Sequence, residues 1–266
     1  MIDKVNFRNS TIRYKDEGSG SVVVLLHGYL ESLNIWDKFS DELSKKFRVI
    51  CIDLPGHGQS GIVADAHTME IMAEGVDTVL NKLHIDKCVL IGHSMGGYVT
   101  MAYADLYSNR LHGYSLFHST PFADTGEKKQ NRDREIEMVI QGKKELISKT
   151  NIPKAFANDN LDRLKGDVEL AIKIADETPD EGIKAVLEGM KQRYDKYEIL
   201  KNSPIPVLLI FGRKDNYISF EDISGKIILN KKGELLILEK SGHMGFIEEM
   251  EESLTGVSLF IEKCAG

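Results

Sequence analysis

Cysteine is scarce in this 266-residue chain: Cys51, Cys88 and Cys264 make three, an odd number at wide spacing. That excludes a disulfide-stapled scaffold, and Cys51 and Cys88 fall in runs that read as buried strands, where reduced core thiols belong. Proline is sparse at 6 residues and no low-complexity tract occurs, so nothing argues for a disordered chain. No apolar run nears the roughly 18 to 20 residues that span a bilayer, the densest being Val22–Leu26. Met1–Ser10 mixes Asp3, Lys4, Asn6 and Arg8 with single hydrophobes and has no secretory apolar region. The expectation is no membrane insertion and a cytoplasmic location. Positive charge is in deficit, with 34 Lys and Arg against 41 Asp and Glu, a net of −7 that offers no footprint for nucleic acid. The 8 histidines include no ligand spacing such as His-x-x-x-His beside carboxylates, so no catalytic metal is indicated.

What is present is an alternation. Val22–Leu26, Val49–Ile52 and Cys88–Ile91 are near-continuous apolar runs, as in strands covered on both faces. Between them Trp36, Phe39, Leu43 and Phe47 recur at helical spacing, as do Met69, Met72, Ala73, Val76, Val79 and Leu83. Leu111–Phe117 reads as a further strand, and Val207–Phe211 and Leu235–Leu238 resume the order after a long interruption. The fold class is α/β, a mostly parallel doubly wound sheet. Residues 1–120 and 203–266 form the expected core, and 121–202 an all-helical insertion lying over the carboxyl ends of the strands. Within it, Leu161, Leu164, Val168, Ala171 and Ala175 form one stripe; Ile183, Val186, Leu187, Met190, Tyr194 and Tyr197 form another. Thr178-Pro179-Asp180-Glu181 predicts a capped helix start with Pro179 in the first helical position.

The stretch Val89-Leu90-Ile91-Gly92-His93-Ser94-Met95-Gly96-Gly97 carries the most chemistry. It is a strand entering Gly-x-Ser-x-Gly and then a helix, and the glycines suit a turn so tight that neighbouring side chains would clash. Such a turn presents Ser94 as a nucleophile at the positive end of the following helix. A serine hydroxyl needs a base, and the base needs an orienting group. His243 follows the last expected strand and Asp215 the one before it, giving the order Ser94, Asp215, His243 at strand carboxyl ends. Asp124, after Leu111–Phe117, and Asp53 are the rival acids. The amides of Tyr29, in His27-Gly28-Tyr29, and of Met95 are candidates for an oxyanion hole. Of the other histidines, His93 and His118 are expected beside the site, and His67, His84 and His112 in solvent. Phe122, Phe156 and Met244 are candidate substrate contacts, while Ile136, Met138, Ile152 and Met190 either line a pocket or pack helix on helix.

These segments together resemble the α/β-hydrolase superfamily over the whole chain. His27-Gly28-Tyr29, Asp53-Leu54-Pro55-Gly56-His57-Gly58-Gln59-Ser60, Gly92-His93-Ser94-Met95-Gly96-Gly97, Gly212-Arg213-Lys214-Asp215 and Ser241-Gly242-His243 stand in its order and approximate spacing. The resemblance implies Ser94 as nucleophile, His243 as base, Asp215 as orienting acid, the Tyr29 and Met95 amides as oxyanion hole, and the insertion as a helical cap. It implies a cofactor-free serine esterase acting on a small-molecule ester or thioester. Carbon–carbon hydrolysis, a quinone-pathway lyase, perhydrolase chemistry and a non-catalytic receptor remain alternatives. Ser94 stands where dehalogenases and epoxide hydrolases of this fold carry aspartate, and the loop after Gly28 lacks the extra glycines of lipases. Residues 121–200 hold 15 Lys and Arg against 17 Asp and Glu, so the sequence shows no basic patch for a phosphorylated or CoA-type substrate.

Overall fold

A computed structural model describes residues 1–265. Its strands are β1 (Ile2–Phe7), β2 (Ser10–Glu17), β3 (Val22–Leu26), β4 (Arg48–Ile52), β5 (Cys88–His93), β6 (Leu111–Phe117), β7 (Val207–Gly212) and β8 (Gly233–Leu238). They form one sheet in the order β1-β2-β4-β3-β5-β6-β7-β8, parallel except where β2 pairs with β1 and β4. β5 and β7 are buried at every position, which is why their sequences are apolar rather than alternating. The chain winds from β3 to β4 on one side and returns to β5 on the other. The crevice beyond the carboxyl ends of β3 and β5 is therefore a switch point, where open α/β sheets bind ligands. The β1–β2 hairpin is an addition to the expected elements. β1 is an edge strand with mostly exposed positions, so it carries little of the hydrophobic signal by which strands are recognised.

The helices of the core are α1 (Asp37–Leu43), α2 (Met69–Lys82) and α3 (Met95–Leu106). All the elements between β6 and β7 are helical: α4 (Gly126–Ile140), α5 (Lys144–Ala155), α6 (Lys165–Glu177), α7 (Asp180–Gln192) and α8 (Tyr197–Lys201), with one 3-10 turn. α9 (Phe220–Ser224), α10 (Gly245–Glu248) and α11 (Met250–Ala265) complete the described chain. No helix among the described residues is long and apolar enough to cross a membrane.

Two details differ from the sequence expectation. Pro179 is the N-cap of α7 and not its first residue, and the Thr178 hydroxyl is buried without a partner, so no capping box forms. The second helical stripe breaks at Arg193, whose extended ψ of 141° ends α7; Tyr194 is then exposed and Tyr197 opens α8. Arg193 is held instead by Asp124 and the Phe122 carbonyl, a tertiary preference that the local pattern does not encode.

Candidate active site

Ser94 sits between β5 and α3 with φ of 49° and ψ of −112°, a left-handed conformation that is uncommon for a residue with a side chain. Its amide donates to the Phe117 carbonyl at 2.9 Å, pinning the turn to β6. The flanking glycines are required by space. A Cβ on Gly96 would collide with the Leu26 and His27 carbonyl oxygens, and one on Gly92 with the Gly96 carbonyl. These contacts bring the start of α3 against the end of β3, and Tyr29 and Met95 line one cavity. Neither amide makes a hydrogen bond among the described residues, so both remain available to an incoming oxygen.

Ser94 and His243 line the same cavity, which has a volume of about 410 Å³. The Ser94 hydroxyl makes no hydrogen bond among the described residues. His243 lies after β8 with its Nδ1 2.7 Å from Asp215 Oδ2. The other Asp215 oxygen, Oδ1, accepts the Tyr217 and Ile218 amides at 2.8 and 2.9 Å. Burial alone would raise the carboxyl pKa of Asp215; the neighbouring His243 charge and the hydrogen bonds from His118 and His243 outweigh it and keep the group ionised. Asp124, the rival acid, is instead clamped by Arg132 and Arg193, and Asp53 by Arg13 and the Leu33 and Gln59 amides.

His118 and His93 do not line the cavity. Both rings are fully buried beneath it, because each is held by partners that the sequence places far away. His118 Nδ1 lies 3.3 Å from Asp215 Oδ2, and its Nε2 accepts the Gly245 amide at 3.1 Å. Nδ1 also lies 3.1 Å from the Gly212 amide, so each ring nitrogen faces a backbone donor and Nδ1 is shared between that amide and the Asp215 carboxylate. His118 is thus a second imidazole beside the Asp215 carboxylate. His93 donates Nε2–H to the His243 carbonyl at 2.8 Å, and its Nδ1 is 3.1 Å from Glu31 Oε2, which also accepts the Gly28 amide at 2.6 Å. Burial lowers the His93 pKa, but the Glu31 charge prevails and raises it, while Glu31 is correspondingly lowered. This buried pair ties the loop of Tyr29, the turn of Ser94 and the loop of His243 together.

Phe122 and Phe156 are also absent from the lining. Phe122 stacks on Tyr197 at 5.5 Å between centroids, and Phe156 is wholly buried in the core. Met244 does line the cavity, as do Ile152 and Met190, whereas Ile136 and Met138 pack on the core. Glu31, Glu248 and His118 were not foreseen in these roles, since no local motif marks them. Glu248 is buried and accepts the Gly242 and Met244 amides on Oε1, at 2.8 and 3.1 Å, and Ala157 N and Asn160 Nδ2 on Oε2, at 2.8 and 2.7 Å. The His243 amide donates to the Ala155 carbonyl at 2.6 Å. The loop of His243 and the end of α5 are therefore joined through a carboxylate.

His67 is a further correction: it is buried, not solvated, with Nε2 accepting the Val63 amide at 3.1 Å. Burial brings the pKa of His67 down to about 4, and that of His118 to about 4 against the opposing pull of Asp215. Groups lowered in the fold from about 6.5 take up protons first in the unfolded chain, so their stabilisation is complete above pH 6.5 and is lost as pH falls towards 4. His93, being raised, contributes the opposite: its stabilisation is present below pH 6.5 and is lost as pH rises through its folded value. His27 and His57 are lowered by burial as well, so four lowered histidines stand against the one raised, and stability is expected to fall between pH 7 and pH 5. Urea unfolding at the two pH values measures it. A free energy that stays level or rises at pH 5 contradicts the buried neutral rings.

A family model described as the alpha/beta hydrolase fold matches residues 21–145. The chain is 30% identical over 251 residues to the dihydrolipoyllysine-residue acetyltransferase component of the acetoin cleaving system of Pseudomonas putida. That match covers 92% of this chain and 64% of the relative, so the chain spans less than two thirds of the relative's length. It is 27% identical over 263 residues to the AB hydrolase superfamily protein YisY of Bacillus subtilis, covering 91% of this chain and 92% of that one. Among solved structures, a malate-bound thermophilic esterase from Thermogutta terrifontis superposes with a TM-score of 0.93 at 28% identity, covering 100% of both chains.

Proposed function

The chain belongs to the α/β-hydrolase superfamily, and from that premise we propose that it is a serine hydrolase cleaving the carboxylic ester or thioester of a small substrate through an acyl-enzyme. One observation carries the reading: a strained Ser94 opens into the same cavity as an imidazole whose Nδ1 is fixed by an ionised carboxylate. Asp215 keeps the proton of His243 on Nδ1, which leaves the Nε2 lone pair as the base. Ser94 Oγ then bonds to the acyl carbon while its proton passes to Nε2. The carbonyl oxygen, now negative, is received by the Tyr29 and Met95 amides at the positive end of α3. Collapse breaks the acyl–oxygen bond, and Nε2 returns the proton to the departing alcohol. Water repeats the sequence to free the acid and Ser94. The inserted helices serve as a cap that supplies specificity. No cofactor is called for. The full-length likeness to an esterase supports the reaction class.

A fluorophosphonate probe followed by intact-mass measurement tests this reading. Stoichiometric labelling at Ser94 within minutes, with turnover of p-nitrophenyl esters, is the expected result. A receptor with an idle site would label slowly or not at all, and a carbon–carbon hydrolase would label yet leave simple esters untouched.

A further inference from the structure

The charges of the insertion are sorted by the fold. Residues 121–200 are net negative by two, yet the side they present to the cavity is positive. Lys128, Asn131, Arg132 and Glu135 lie at positions i, i+3, i+4 and i+7 of α4, so one face of that helix forms the wall opposite Ser94. Lys154, at the end of α5, adds a third cation to this wall, against the single acid Glu135. Neither Lys128 nor Lys154 has a carboxylate partner among the described residues, whereas Glu135 is held by Asn151 Nδ2 at 2.8 Å.

Arg132 is not a loose surface charge. Asp124, whose carboxylate is buried, binds its Nε at 2.5 Å and its Nη2 at 3.2 Å, and the same carboxylate takes Arg193 Nη1 at 2.8 Å. One carboxylate thus serves two guanidiniums, and the second stacks 3.8 Å over the ring of Tyr98, itself part of the cavity wall. Asp124 and Glu135 together face Arg132, Arg193, Lys128 and Lys154, so positive charge is in excess at this wall. On the floor, the Glu31 carboxylate is taken up by the Gly28 amide and by His93 Nδ1, 3.1 Å away. The Tyr29 hydroxyl, on the same cavity, is buried between Glu135 and Arg132 and makes no hydrogen bond of ordinary geometry to either. A buried hydroxyl beside an excess of cations, two of them without a carboxylate partner among the described residues, is an arrangement that a bound anion would satisfy.

We propose that the substrate is an ester carrying a carboxylate on the part remote from the scissile bond, received by Lys128, Arg132 and Lys154 with a hydrogen bond from the Tyr29 hydroxyl. This rests on the ester-hydrolase reading of the same site and narrows it to half-esters of short dicarboxylic acids and their like. Such a remote anion binds equally in the ground and transition states, so the selectivity falls on KM more than on kcat.

The test compares mono-p-nitrophenyl adipate with p-nitrophenyl hexanoate, which match in chain length and differ in the terminal carboxylate. With two or three partly exposed charge contacts, kcat/KM is expected to favour the adipate by about tenfold at low ionic strength. The preference should fall towards unity in 1 M salt, because charges at the mouth of a cavity are screened. Lys128→Gln combined with Lys154→Gln, both exposed positions, should shrink the ratio several-fold in low salt. A ratio of one or less with both esters hydrolysed overturns the anionic subsite and leaves the ester hydrolase standing, as does a ratio unmoved by salt and by the double variant. No turnover of either ester removes the hydrolase reading, and this one with it.

Discussion

Ser94→Ala is expected to lower kcat for a p-nitrophenyl ester by about 10⁶-fold, the loss that follows removal of the nucleophile when serine, histidine and aspartate act as one unit. What survives would be the contribution of the two amides and of substrate binding. Because His243 has nothing to activate once Ser94 is gone, Ser94→Ala combined with His243→Ala should be no slower than either single change. The fold should be indifferent. The Ser94 hydroxyl makes no hydrogen bond among the described residues, and alanine inherits the same φ of 49°, so a stability change within about 0.5 kcal/mol is expected. Ser94→Gly should instead raise stability by about 1 kcal/mol, since glycine adopts that conformation without strain. Steady-state kinetics with thermal melts measure both. A variant that retains a hundredth of the parental rate assigns the chemistry elsewhere.

Asp215→Asn is the second large effect, an expected fall of about 10⁴-fold in kcat by the tautomer argument known from triads of this type. The structure makes the direction specific. The Tyr217 and Ile218 amides both point at Oδ1, so the amide oxygen of the asparagine must occupy that position and its NH2 must take the place of Oδ2. There it faces Nδ1 of both His243 and His118. Donor against donor drives the His243 proton to Nε2, and the lone pair that should accept from Ser94 is lost. Activity should recover in part at high pH, where hydroxide competes with the lost base. A loss smaller than tenfold would mean that another group orients His243.

How far the sequence could be read depended on how local each signal is. The turn around Ser94 announces itself because the close approach of α3 to β3 leaves room for nothing larger than hydrogen at 92 and 96, and a short motif records that demand. His243 and Asp215, which the structure pairs, stand out in the sequence because each follows a strand whose apolar run is unmistakable. His118 follows a strand just as clear, but nothing in its neighbours says that its ring turns inward to Asp215 rather than towards substrate. The same holds for Glu31 and Glu248, whose partners lie 62 and 91 positions away. Charges on an amphipathic helix normally face water, so the four cavity-facing positions of α4 could not be told from its solvated ones until its contact with Tyr29 and Tyr98 was known. β1 escaped for a related reason, since an edge strand exposed at most of its positions need not be hydrophobic, while β2 interleaves Arg13 and Lys15 with Ile12 and Tyr14 and so breaks the apolar run.

The carboxylate of Glu248 has a mechanical meaning. By gripping Gly242 and Met244 with one oxygen and Ala157 and Asn160 with the other, it works as a pivot at one corner of the roof. The segment after α5 cannot shift at that corner without straining the loop that carries His243.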